Sequence, residues 1–205
     1  MKKLNIFILI LLIQCQMNEQ KTRNYFIGDS HIARWDLDAD FPGSENINLG
    51  VGGDVIEGVS RRIKSIDIKN DAGSQCFILV GTNNCLAMIY DGIERDSIVN
   101  EMISGYYKLL DSIPGGFDHV YVLSIFPTEK GYYPAGDEHV PYIYGKVNDS
   151  LRIMTRNRPK ISFIDVSGPL TDKENYLKPD FTLDALHLNA DGYRMLSQVV
   201  RQQMK

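Results

Sequence analysis

The sequence predicts an α/β fold, a parallel sheet of about five strands with helices on both faces. Short apolar runs recur along the chain and are continuous rather than alternating, as expected of strands covered on both sides. Between them lie stretches whose apolar residues recur at steps of three and four, the helical period. Clusters of Gly, Asp and Asn follow the runs, at the carboxyl ends of strands, where open α/β sheets gather their functional residues.

The apolar runs are 24–27, 47–49, 76–80, 120–126 and 161–166. A first helix is predicted over 55–66, with Asp54 as its N-cap. The clearest helix spans 93–113, where Ile98, Val99, Met102, Ile103, Tyr106, Leu109, Leu110 and Ile113 form one stripe before Gly115-Gly116 stops it. Ile143, Val147, Leu151 and Met154 mark another helix, and Tyr193, Leu196, Val199 and Val200 the last. Two irregular stretches remain, 128–141 and 167–183; the first carries Tyr132, Tyr133 and His139. There is no internal repeat and no sign of a second domain.

At 205 residues and 43% hydrophobic content, the chain can bury one full core, assigned to 24–205. Ahead of it, Lys2 and Lys3 precede an apolar stretch from Ile6 to Ile13, too short to span a bilayer permanently. Residues 1–14 therefore read as a signal peptide, and the chain as exported to the periplasm or cell envelope. Leu12-Ile13-Gln14-Cys15 resembles the lipobox of bacterial lipoproteins, with Gln14 where a small residue is usual. Cys15 is then a lipidation site and membrane tether, with 15–23 a polar linker; ordinary signal cleavage is the alternative. Cys76 and Cys85 read as unpaired, buried small hydrophobes, and no cysteine spacing suggests a metal site. The formal charge of −4 is two units more negative without Lys2 and Lys3, which argues against a nucleic-acid partner.

Four motifs stand out in order. Gly28-Asp29-Ser30 sits directly behind Tyr25-Phe26-Ile27, and Gly53 closes the cluster Gly50-Val51-Gly52-Gly53. Gly81-Thr82-Asn83 and Asp184-Ala185-Leu186-His187 follow. Taken singly, each is ordinary turn or cap chemistry, and the glycine cluster lacks dinucleotide-binding spacing. Taken together, the blocks are similar to those of SGNH (GDSL-type) hydrolases, over residues 24–205. That resemblance implies a flavodoxin-like three-layer α/β/α fold and an exported bacterial esterase or lipase. It maps the family's serine, glycine, asparagine and Asp-x-x-His onto Ser30, Gly53, Asn83, Asp184 and His187. One departure is Asn84, where many members carry aspartate.

The chemistry calls for these residue types. A serine hydroxyl attacks an ester only when a base takes its proton. His187 is the candidate base, and Asp184, three residues earlier, can reach its other ring nitrogen. The Ser30 and Gly53 N–H groups and the Asn83 amide are candidate donors to the developing oxyanion. No metal or cofactor is required. The expected substrate is a short acyl, acetyl ester of a carbohydrate or similar small molecule, with His31, Trp35, Tyr132 and Tyr133 as substrate contacts. A lipid hydrolase, a thioesterase or an acyltransferase could use the same residues, and a non-catalytic glycan-binding protein is the rival of another class.

Overall fold

The computed structural model describes residues 22–68, 73–133 and 135–204. The apolar leader, Cys15 and most of the polar linker lie outside the described residues. Within them, five strands form one parallel sheet: β1 Arg23–Gly28, β2 Glu45–Gly50, β3 Gln75–Leu79, β4 His119–Leu123 and β5 Ile161–Ile164. Their order is β2-β1-β3-β4-β5. This is the flavodoxin-like order, whose switch point lies between β1 and β3. Ser30 follows the first of these strands and Asn83 the second, so the topology alone brings them to one crevice.

Alternate residues of each strand face opposite layers. Tyr25 and Ile27 point into a core shared with α3 Ile56–Ile63, α5 Arg95–Asp111 and α6 Val140–Arg156. Phe26 points the other way, into a core closed by α1 Ser30–Ala33, α2 Leu37–Asp40, α7 Ser167–Leu170 and α8 Ala190–Gln203. On that side Phe26, Phe77 and Tyr121 occupy neighbouring register positions. Their rings stack with centroids 4.4 and 4.9 Å apart. Losing one aromatic ring from such a core costs about 3–5 kcal/mol.

Several element boundaries differ from the sequence reading. β1 starts at Arg23, one residue inside the stretch read as linker. α3 starts at Ile56 and Asp54 is not its cap; its carboxylate turns to Arg62 instead. The Ile56 N–H is satisfied from another element, by Asn84 Oδ1 at 2.9 Å. Residues 82–90, given no element in the sequence reading, form α4 Thr82–Tyr90 and carry Cys85. α5 ends at Asp111, short of the glycine pair. Cys76 and Cys85 are free and buried, as expected. His119 is half-buried, with Nε2 2.8 Å from Ser162 Oγ.

Candidate active site

Ser30 is placed by the end of β1. Gly28 packs so tightly on β3 that an added Cβ would lie 1.9 Å from the Leu79 carbonyl oxygen. Asp29 caps the short α1, its Oδ1 accepting the His31 N–H at 2.9 Å. The Ser30 N–H, at the first helical position, has no intrahelical acceptor and stays available.

His187 approaches from the far end of the chain. Its Nε2 lies 3.0 Å from Ser30 Oγ, and its Nδ1 lies 2.8 Å from Asp184 Oδ2. Asp184 Oδ1 also accepts the Leu186 and His187 N–H groups, at 3.2 and 2.7 Å. This tight turn holds Ala185 at φ +68°, uncommon for a residue with a side chain. Two bonds clamp it: Leu183 N–H to the His187 carbonyl at 2.8 Å, and Glu129 N–H to the Ala185 carbonyl at 2.8 Å. Burial disfavours the Asp184 carboxylate, but the bonds from His187 and Leu186 outweigh that and pull its pKa down to about 2. The group is therefore ionised at any pH where the histidine can act as a base.

The second and third sequence-predicted donors come from the neighbouring loops. Gly53 has φ +76° in an exposed turn, a conformation that favours glycine. Asn83 Nδ2 donates to the Asp54 carbonyl at 2.9 Å, which leaves its second amide hydrogen uncommitted. Asp54 is the hub here. Its carbonyl holds Asn83, its N–H bonds Val51, and its carboxylate accepts from Arg62 Nε at 3.0 Å. Arg62 also donates to the Leu49 carbonyl at 2.8 Å and the Gly28 carbonyl at 3.2 Å. One guanidinium thus ties the ends of β1 and β2 to the glycine turn. Asp54 was read from sequence only as a helix cap and Arg62 was not singled out, although Asp54, Gly58 and Arg62 recur at helical spacing. The glycine between them leaves space an added Cβ would take, 1.7 Å from Asp54 Oδ1.

Of the four expected substrate contacts, three are corrected. His31 is 1% exposed and lies under the site rather than on its rim. Its ring packs against Phe126 and His187, with centroids 4.7 and 5.7 Å away. Burial first, and the neighbouring His187 second, lower its pKa to about 3, so it is a neutral floor to the pocket. Trp35 is buried beside Phe26 and donates to Asp40 Oδ2 at 2.7 Å and Ser197 Oγ at 3.0 Å. Tyr133 is buried in the core beside Cys85 and Tyr144. Tyr132 alone of the four is half-buried at the edge of the site. Among the described residues no cluster of His, Cys, Asp and Glu forms a metal site.

Comparison with known proteins gives a consistent picture. A model of the GDSL-like Lipase/Acylhydrolase family matches residues 26–195. Platelet-activating factor acetylhydrolase IB subunit alpha2 of Rattus norvegicus is 22% identical over 149 residues, 72% of this chain, as is its Mus musculus counterpart. The chain spans 58% of the length of these curated relatives. Among solved structures, a putative platelet activating factor from Streptococcus pneumonia superposes with TM-score 0.71 at 21% identity, covering 96% of this chain and 98% of that one. A mutant of Axe2, an acetyl-xylooligosaccharide esterase from Geobacillus, superposes with TM-score 0.68 at 15% identity, covering 90% and 95%. The catalytic domain of a Streptococcus pneumoniae peptidoglycan O-acetyltransferase gives TM-score 0.59 at 15% identity, covering 89% and 92%.

Proposed function

Because the chain belongs to the GDSL-like lipase/acylhydrolase family, whose members are hydrolases acting on ester bonds, we propose that it removes short acyl groups, acetyl above all, through an acyl-Ser30 intermediate. The carrying observation is the unbroken chain of contacts Ser30 Oγ–His187 Nε2–His187 Nδ1–Asp184 Oδ2, at 3.0 and 2.8 Å. In this reading His187 takes the Ser30 proton as Oγ attacks the ester carbonyl carbon. The carbonyl electron pair moves onto oxygen, where the Ser30 and Gly53 N–H groups and the Asn83 amide receive it. Collapse expels the alcohol, which leaves with the proton held on His187. A water then repeats the sequence on the acyl-serine and frees the acid. Asp184 stays ionised throughout and steadies the imidazolium.

Acetyl is the acyl group named for several similar proteins: an acetylhydrolase, an acetyl-xylooligosaccharide esterase and an O-acetyltransferase. The Asp184 side chain is 50% exposed, so the outer end of the Ser30–His187–Asp184 chain meets solvent.

The test is turnover of p-nitrophenyl acetate and p-nitrophenyl octanoate by the purified protein beside Ser30→Ala. Acetate is expected to be the faster substrate, and Ser30→Ala to abolish turnover of both. Octanoate preference would redirect the assignment to lipid esters. Equal inertness of wild type and variant would favour the non-catalytic binding protein.

A further inference from the structure

A cavity of about 610 Å³ opens where the far end of α4 meets the start of α5 and the 135–139 turn. Among the described residues its wall includes Ile89, Ile93, Glu94, Arg95, Ala135 and His139. Its size falls within the usual range for small-ligand pockets. None of these residues belongs to the Ser30 site.

We propose that this cavity is a subsite for a neutral oligosaccharide, the chain that carries the acyl group presented to Ser30. The inference rests on the esterase reading above and names its substrate class.

α4 acts as a ruler between the two places. Asn83 stands in its first turn at the catalytic end, and Ile89 in its last turn on the cavity wall. At 1.5 Å rise per residue they are about 9 Å apart along the helix, within the reach of a short sugar chain. A cluster of aromatic rings lies beside the far end of this helix. Tyr133 is buried and supports two neighbours, with ring centroids 5.5 Å from Tyr132 and 6.1 Å from Tyr90. Tyr132 and Tyr90 both pack against Tyr133, which joins the loop ending at Tyr133 to the last turn of α4. Tyr90 is 61% exposed, a large ring offered to solvent. Such amphipathic rings suit the mixed C–H and hydroxyl surface of a sugar.

The lining separates a glycan from an acyl chain. Glu94, Arg95 and His139 would be desolvated without compensation by an alkyl tail, whereas sugar hydroxyls can hydrogen-bond all three. Glu94 is held by the Asp96 and Ser97 N–H groups, and Arg95 stacks 4.6 Å over the Tyr142 ring. Adjacent charges of opposite sign favour a neutral chain over an acidic or basic one.

The experiment compares O-acetylated cellotetraose and maltotetraose with glucose pentaacetate and p-nitrophenyl acetate. It uses the wild type, Tyr90→Ala, which removes the exposed ring, and Ala135→Trp, which fills the cavity. We expect at least one tetrasaccharide to exceed glucose pentaacetate by about tenfold in kcat/KM in the wild type, and both variants to erase that advantage through KM. Turnover of p-nitrophenyl acetate should change by less than about twofold, which also shows that the variants fold. Equal kcat/KM for tetrasaccharide and monosaccharide esters in the wild type would overturn the assignment, as would a preserved advantage in both variants. Calorimetric titration of Ser30→Ala with the unacetylated tetrasaccharides separates the two readings. Binding lost on adding Tyr90→Ala supports the subsite even if no ester is turned over; absence of binding by either sugar overturns it.

Discussion

Asp29 gives one carboxylate oxygen to the His31 N–H and leaves the other buried without a partner among the described residues. Burial, with the nearby charge of Asp54 adding to it, raises the carboxyl from its ordinary value near 3.8 to about 7. The folded protein therefore holds a proton that the unfolded chain releases at lower pH. This contribution to stability is fully present below about pH 4, is lost as pH rises through about 7, and changes little beyond. Asp29→Asn keeps the acceptor oxygen and removes the titration. Its gain in thermal midpoint over wild type should therefore be larger at about pH 8 than at about pH 4.5. A pH-independent difference would show that Asp29 keeps its ordinary pKa. His31 and Trp35 belong to the same scale. Both were expected as substrate contacts, but both are buried, His31 against Phe126 and His187 and Trp35 against Phe26 and Ser197 of α8.

The glycine turn, the end of β1 and the start of α4 are held together by the Arg62–Asp54 pair rather than by their own backbones. Arg62→Lys keeps the charge but loses the planar fork that reaches two carbonyls and a carboxylate at once. We expect kcat on p-nitrophenyl acetate to fall by about tenfold or more, with KM little changed, since the contacts orient donors that act on the transition state. An unchanged kcat would mean that the turn keeps its shape unaided. The motifs themselves were legible in the sequence: Ser30, Asp184 and His187 meet as their blocks predicted, and the five apolar runs became five strands. Arg62 was not legible, because its partners are backbone carbonyls of distant elements. α4 was missed because it begins inside the Gly81-Thr82-Asn83 motif and lacks a clean apolar stripe. Asn84, the departure from the family pattern, proved to serve a neighbouring helix by holding the Ile56 N–H.

For the molecule as a whole, the leader sequence carries a separate prediction. We propose that the chain is exported and lipidated at Cys15, on the basis of the basic and apolar pattern over 1–14. Cys15→Ala should then move the protein from the membrane fraction to the soluble fraction of its host and abolish incorporation of labelled palmitate. Unchanged partition would leave ordinary cleavage as the reading. Because every strand is parallel, the sheet is polar: the chain enters at the amino edge through Arg23, and the catalytic residues gather at the opposite edge. The six residues of β1 alone separate the two edges by about 20 Å. The segment that leads into Arg23 thus joins the fold at the edge opposite Ser30, Asn83 and His187, and a tether attached there leaves the catalytic edge uncovered.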